Sequence, residues 1–307
     1  MTSASETSRT GPGAVSEDRT ALYAGIGCYA LWSVLSLQFM ALAARAVDPW
    51  EILAHRCIWA LPWAAGILWL ARAQGEVLAV LCSPRLLGWL VLSATLVSVN
   101  WGIFIVAATT GHKLDASLAY YINPLLNMAA GALLFRERFT RSGAVAIALA
   151  VIGVVLQAVA VGHPPWMALV MATTFGLYGV IRKRLPVGAQ AGLLVEALLL
   201  APLGLAYVLW LHGHGAGHFG SGALTTVLIL SVGPSTAIPL AMFAYAARGL
   251  PLSTMGFLQF ILPTLVFGIA MATGESLTPL RALSFVFIWI GVAVFSAGSW
   301  AASRAQA

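Results

Sequence analysis

The fold class that this sequence predicts is an all-α membrane protein of ten transmembrane helices, built as two inverted five-helix repeats. Three observations predict it. Of the 307 residues 60% are hydrophobic and only 8% charged, against about a quarter charged in an ordinary soluble domain. Apolar segments of roughly 20 residues, the length a helix needs to cross the hydrocarbon layer, follow one another with short polar joints. A weak internal repeat returns at an offset near 138 residues. The apolar runs are continuous rather than strictly alternating, which excludes a membrane β-barrel and leaves helices to pair every backbone group in lipid.

Residues 1–20, MTSASETSRTGPGAVSEDRT, are polar and rich in Ser, Thr and Gly. They read as a disordered cytoplasmic tail and not as a cleaved signal peptide. Ten spans are then expected at about 21–43, 51–71, 87–108, 115–134, 143–161, 166–182, 190–211, 224–247, 252–272 and 282–302. Turn signals fall in the joints: Asp48-Pro49, Ser83-Pro84, Gly162-His163-Pro164-Pro165, Leu185-Pro186 and Thr278-Pro279. Residues 303–307 close the chain as a cytoplasmic tail.

The 16 Lys and Arg residues divide unevenly over these joints. The side that owns both tails and the even-numbered joints holds twelve, among them Arg136, Arg138, Arg141 and the run Arg182-Lys183-Arg184. The other side keeps Arg45, Lys113 and Arg281, with Arg56 inside a span. Positive residues collect on the cytoplasmic face, so both termini are expected there. The same bias accounts for the net charge of +6, which in a soluble chain would suggest nucleic acid. The three-base run reads as a cytoplasmic anchor.

In the repeat, Glu137-Arg138-Phe139-Thr140 followed by Ile152-Gly153-Val154 returns as Glu275-Ser276-Leu277-Thr278 followed by Ile290-Gly291-Val292. Leu90, Leu92 and Ser93 recur as Leu228, Leu230 and Ser231, and Pro124 recurs one residue out of step as Pro263. The halves are expected at 21–161 and 162–302. Five helices per half is an odd number, so the second half enters the membrane from the opposite side. Inverted halves offer two near-equivalent conformations, one open to each face, which is the architecture of many secondary transporters.

Ionisable residues inside a span are costly, about 2.5 kcal/mol or more at the bilayer centre, and mark function by default. Few occur. Glu196 lies within GLLVEALLLAP, Glu51 stands at a span edge, and Arg56 enters a span by more than a turn. Glu51 and His55 are four apart and share a helix face, while Arg56 points about 100° away from His55. The simplest reading of Glu51 is a side chain that snorkels to the outer interface. Further in, Asn100-Trp101 is mid-span, and Tyr120-Tyr121-Ile122-Asn123-Pro124 gathers two phenols, an amide and a helix-breaking proline. Pro124 frees a backbone carbonyl, which is tolerated where protein or a water-filled cavity satisfies it. Gln259-Phe260-Ile261-Leu262-Pro263 repeats that pattern, so Pro124 and Pro263 are expected as kinks in two helices facing one cavity. Trp32, Trp101 and Tyr178 are deep enough to line it. Trp50, Trp59, Trp63, Trp69 and Trp89 lie near span ends and read as interface anchors.

Cys28, Cys57 and Cys82 are few and odd in number, and two of them lie in apolar surroundings, which argues against a disulfide framework and a thiolate metal site. His212-Gly213-His214-Gly215-Ala216-Gly217-His218 has the look of a metal loop, yet no Cys or carboxylate accompanies it, so no metal and no cofactor is expected. A G-x-x-x-x-G-K-[ST] nucleotide loop is absent from the sequence, so energy is expected from a gradient or from exchange.

Several segments resemble the RarD branch of the EamA-type drug/metabolite transporters. They are NWGIFIVAATTGHKLDASLAYYINPL, RERFTRSGAVAIALAVIGV, PPWMALVMATTFGLYGVIRKRLP, VGPSTAIPLAMFAYAARGLPLSTMGFLQFILPTL and ESLTPLRALSFVFIWIGVAVF, with EILAHR as an acid-His-Arg element. The resemblance runs in order over all ten spans. It departs where that branch has a Tyr and a Trp at the positions of Phe104 and Val106, and a glycine at Ala119. It implies a ten-helix, inverted-repeat permease of the bacterial inner membrane, independent of ATP.

The expected function is therefore secondary transport, as an exporter, of small organic metabolites or drug-like solutes. Arg56, Asn100, Trp101, Tyr120, Tyr121, Asn123, Gln259 and Trp32 are the candidate cavity residues, and Glu51, His55 and Glu196 the candidates for proton or charge coupling. Expected partners are a small-molecule solute and the lipid bilayer, with proton coupling and a homodimer as further expectations and no nucleic acid. Two competing readings stand beside it: an intramembrane enzyme using Glu51, His55 and Glu196 as acid/base groups, and a membrane scaffold or sensor that transports nothing.

Overall fold

The computed structural model describes residues 12–109, 113–137, 139–162, 164–272 and 278–305, and the regular structure among them is helical. In chain order the helices are α1 (Pro12–Ala43), α2 (Pro49–Leu70), α3 (Gln74–Leu81), α4 (Pro84–Thr109), α5 (Lys113–Phe135) and α6 (Arg141–Val161). They continue as α7 (Trp166–Arg184), α8 (Ala189–Gly213), α9 (Ala223–Gly249), α10 (Leu252–Gln259), α11 (Ile261–Ala272) and α12 (Pro279–Ala305). Among the described residues seven are long and apolar enough to cross a membrane, and Leu252–Leu265 and Ala282–Gly298 form shorter apolar stretches. Large apolar side chains such as Leu133, Val159, Leu203 and Leu209 stand exposed on the outside, the surface expected of helices that face lipid.

Local chemistry explains the boundaries. Asp48 caps α2 by accepting from the backbone N–H groups of Trp50 (2.8 Å) and Glu51 (3.3 Å), and Pro49 occupies the first position, where no N–H is needed. Thr140 caps α6 through Gly143 N–H (3.1 Å), and Gly162 ends it in the left-handed region at φ 79°.

Three features differ from the sequence expectation. First, α1 starts at Pro12, so residues 12–20 of the expected tail are helical, since a nucleated helix extends at little cost; residues 1–11 lie outside the described set. Second, the expected ninth span, 252–272, is two helices broken at Phe260. Pro263 sits in the first turn of α11, where its missing donor costs nothing, so it starts a helix instead of kinking one. Pro124, by contrast, lies inside a continuous α5. Third, the joint after α2 carries α3, whose Val77 and Val80 are buried against Ile181, Leu185 and Val195. Eight residues span only about 12 Å, too short to signal a membrane helix. Of the internal repeat, Arg138 and Glu275, Ser276 and Leu277 lie outside the described residues.

Helices from early and late in the chain interleave. α1 packs on α9 and α11, α2 on α8 and α9, α4 on α7 and α8, α5 on α7 and α10, and α6 on α12. At the α6/α12 seam a Cβ on Gly153 would lie 2.9 Å from the Ser284 carbonyl, and one on Gly291 would lie 2.9 Å from the Ala146 carbonyl. Glycine is required on both sides because the backbones meet there.

Candidate functional site

A cavity of about 80 Å³ lies among α1, α2, α4, α5, α7, α10 and α11. Its polar lining comes from Tyr29, Arg56, Asn100, Tyr120, Asn123 and Gln259, and its apolar walls include Trp32, Phe39, Trp101, Phe104 and Phe175. Seven of the eight sequence-predicted cavity residues therefore meet at one place. Tyr121 does not. On α5 it follows Tyr120 by about 100°, which turns its ring away to pack edge-on against Phe285 of α12 at 5.7 Å.

Arg56 is 4% exposed. Its Nε donates to Thr236 Oγ1 of α9 (3.2 Å), and its guanidinium carbon lies 4.1 Å from the centre of the Trp101 ring and 5.2 Å from that of Phe39. A buried guanidinium needs compensation, and the two ring faces supply part of it. Among the described residues no carboxylate pairs with it. Asn100 Nδ2 donates to the Met171 carbonyl (2.7 Å), tying α4 to α7. Gln259 Oε1 accepts from Asn127 Nδ2 (2.9 Å), tying α10 to α5. Two buried polar atoms on the lining have no hydrogen-bond partner: the Tyr29 hydroxyl and Asn123 Oδ1. Trp32 is held edge-on by Tyr29 (5.7 Å) and Phe175 (5.7 Å).

Neither predicted acid lines the cavity. Glu51 is fully buried and does not snorkel to an interface. Its Oε1 accepts from the His218 backbone N–H (2.6 Å), its Oε2 lies 2.8 Å from His218 Nδ1, and His55 Nε2 is 3.8 Å away. The loop after α8 folds over the start of α2 and makes the carboxylate an interior group. His55 is fixed in turn by Trp59, whose indole N–H donates to its Nδ1 (3.2 Å), so Trp59 acts inside the protein as well as near a span end. His218 thus serves Glu51, while His214 packs on Trp210 with ring centres 4.7 Å apart. Among the described residues no group of three or more His, Cys, Asp or Glu is placed to hold a metal ion.

Glu196 lies in a second buried network. Ser93 Oγ donates to its Oε1 (2.5 Å), the Tyr178 hydroxyl donates to its Oε2 (3.4 Å), and Arg182 Nη1 stands 3.7 Å from Oε1. Arg182 is 1% exposed, so the expected anchor run divides. Its first residue turns inward to the acid and donates to the Ala189 carbonyl (2.9 Å). Lys183 caps the end of α9 by donating to the Ala247 (3.1 Å) and Leu250 carbonyls, and Arg184 donates to Leu134 O at the end of α5 (3.2 Å). Tyr178, expected to line the cavity, is buried beside it against Phe243 and Glu196. Sequence reasoning missed Tyr29, Ser93, Thr236, Asn127 and His218. Tyr29 was detectable as a phenol and Asn127 as an amide within apolar spans, Ser93 as a repeated position and His218 as part of the His-Gly loop; Thr236 carries no signal until the helices pack.

The two acids lie at opposite ends of an antiparallel pair. Gly204 of α8 packs on Ala54 and Cys57 of α2, and the start of α8 reaches past the end of α2 to Glu76. Counted from that crossing, Glu51 and Glu196 stand roughly 19 Å apart along the helix axes.

Long apolar helices, leucines exposed on the outside and a cavity lined by a buried cation describe a multi-pass membrane protein. The comparisons agree: residues 19–159 match the model of the EamA-like transporter family. Curated relatives include an uncharacterized transporter of Vibrio cholerae, 40% identical over 91% of this chain and 93% of its own. The RarD proteins of Streptomyces exfoliatus (37% identical, 95% and 91% covered) and Escherichia coli (34%, 91% and 94%) are also similar. One crystal structure has the same fold, with a TM-score of 0.69 at 17% identity over 94% of this chain and 99% of that one. The chain belongs to the EamA-like transporter family, in its RarD branch.

Proposed function

We propose that the protein is a secondary transporter that moves small organic solutes by alternating access, exporting them across the bacterial inner membrane. The reading has ten membrane crossings, two inverted halves at 21–161 and 162–302, and both termini in the cytoplasm. α10 and α11 then count as one broken crossing, and α3 lies outside the bilayer.

The observation that carries it is the packing pattern. Exchange α1, α2, α4, α5 and α6 with α7, α8, α9, α10/α11 and α12 in that order, and the larger contacts reproduce themselves, although α5/α6 and α7/α9 have no counterpart of like size. The α1/α9 pair becomes α7/α4, α2/α9 becomes α8/α4, and α5/α7 becomes α11/α1, while α2/α8, α5/α10 and α6/α12 map onto themselves. The reciprocal glycines Gly153 and Gly291 obey the same exchange. This symmetry supports inverted halves, which would let one site be offered to either face in turn.

In this reading Arg56, Asn100, Trp101, Tyr120, Asn123, Gln259 and Trp32 contact the solute. Glu51 with His55, and Glu196, bias the two closures by the state of their charge. Pro124 and the break at Phe260 supply flexible points on the two helices facing the cavity. The acid/base enzyme reading has less support, because the two acids sit at opposite ends of a helix pair and share no cavity wall. Proteoliposomes loaded with a panel of labelled organic solutes, assayed with and without a pH gradient, test the proposal. Movement of none of them by folded, reconstituted protein would sink it.

A further inference from the structure

We propose that the cavity takes an organic monocarboxylate, with its carboxylate on the terminal nitrogens of Arg56 and its apolar body along the rings of Phe39, Phe104 and Tyr120. The inference rests on the transporter reading of the same cavity and narrows its solute to one charge class.

The cation comes first. Arg56 lines the cavity and is 4% exposed. Its Nε donates to Thr236 Oγ1, whose own hydroxyl donates to the Val232 carbonyl (2.7 Å), so the direction of both bonds is set and the guanidinium is held in place. Among the described residues Nη1 and Nη2 have no hydrogen-bond partner, and neither is one of the polar atoms that packing seals off. Its fork of terminal N–H groups is left for whatever enters the cavity. No carboxylate of the described residues pairs with it: the titratable groups beside it are Cys57 and Tyr120, uncharged at neutral pH at their ordinary values, and Glu51 and Glu196 belong to separate networks. A buried cation without a counter-ion is costly, and a carboxylate supplies one in the geometry that a guanidinium prefers.

Net charge comes second. One unpaired cation is neutralised by one negative charge, and a dianion would bring an excess charge to a lining that has no other Lys or Arg. Ring faces attract cations. Here an ammonium group on them would stand in the field of Arg56, with no Asp or Glu on the lining to offset it. Monoanions fit this arrangement; amines, amino acids and dianions do not.

The body comes third. The guanidinium carbon lies 5.2 Å from the Phe39 ring centre, Phe39 lies 6.4 Å from Phe104, and Phe104 lies 6.3 Å from Tyr120. All three rings line the cavity, so an aromatic wall begins at the cation and continues away from it. A carboxylate held at Arg56 sets its carbon skeleton against that wall, where burial of apolar surface adds to binding.

The test is calorimetric titration of the purified full-length protein in neutral detergent. The probes share one ring and differ in charge: phenylacetate, phenylacetamide, phenethylamine, phenylalanine and phenylmalonate, with acetate as a carboxylate that has no body. Phenylacetate is expected to bind about tenfold or more tighter than each of the others. Arg56→Gln should bring the ratio of acid to amide affinity close to unity, and Arg56→Lys should keep part of it, as a point charge without the fork. A merely structural arginine would leave that ratio unchanged. Should the glutamine variant fail to fold, the wild-type ratios and the lysine variant still decide. Any of the other probes binding as tightly as phenylacetate, no binding of phenylacetate, or an acid preference that survives Arg56→Gln overturns the proposal. Proteoliposomes separate the two levels. Movement of neutral or cationic solutes alone removes this inference and leaves the transporter standing, and carboxylate binding without any transport does the reverse.

Discussion

Glu51 of α2 and His218 of the loop after α8 are joined twice, side chain to side chain at 2.8 Å and carboxylate to backbone N–H at 2.6 Å. The pair links residues 167 apart in sequence and closes one end of the α2/α8 contact. His218→Ala should lower stability by roughly 1–3 kcal/mol, because it leaves one oxygen of a buried carboxylate unpaired. Glu51→Gln should cost less, since an amide can still meet one of the two donors. Thermal unfolding in detergent measures both, and equal, negligible losses would mean that the loop is not held by this acid.

At the other end of the pair, Arg182 faces Glu196 at 3.7 Å with both side chains buried. Arg182→Met alone should destabilise by about 3–5 kcal/mol by stranding the carboxylate, and adding Glu196→Leu should recover most of that loss. Additive losses in the double mutant would show that the two do not act as a pair. The tight approach of Gly192 constrains the design: a Cβ there would collide with the Arg182 guanidinium, so Gly192→Ala should mimic part of the Arg182→Met effect.

Gly153 and Gly291 carry the α6/α12 seam. A Cβ at either meets a backbone carbonyl at 2.9 Å, and a carbonyl cannot rotate away as a side-chain tip can. Each change to valine should cost on the order of 1–3 kcal/mol, and the double change less than the sum once the helices have separated. Urea or heat denaturation of the three variants decides it.

Glu137 reaches from the end of α5 to the start of α10. Its oxygens accept from the backbone N–H groups of Leu252 (2.7 Å) and Ser253 (3.0 Å) and from Ser253 Oγ (2.7 Å). This is capping in trans, so Glu137→Ala should lose about 1–2 kcal/mol. Hydrogen exchange should rise first in α10, the short helix that depends on it; uniform exchange over the molecule would argue against a local role.

Much of this was legible before any packing was known. The span ends at Asp48-Pro49, Ser83-Pro84 and Gly162 follow from capping and turn chemistry, and the observed helices begin or end at or beside them. Asn100, Asn123 and Gln259 stood out because amides are rare in apolar runs. Tyr121 misled for the same reason: a phenol in a span is noticed, but the face it occupies depends on where α12 lies. Arg182 was placed by its neighbours in sequence, although a single step of about 100° along the helix separates the buried Arg182 from the capping Lys183.

The sequence by itself determined that this chain crosses a membrane as helices, because in lipid each backbone group must find its partner nearby, and the length, caps and prolines that govern this are local. Only the tertiary structure decided which polar groups share a cavity and which lock helices together. Ser93 with Glu196, Glu51 with His218 and Arg56 with Thr236 are 103, 167 and 180 residues apart. Whether a buried charge is paired or left facing a cavity depends on contacts of that range, and no local pattern records them.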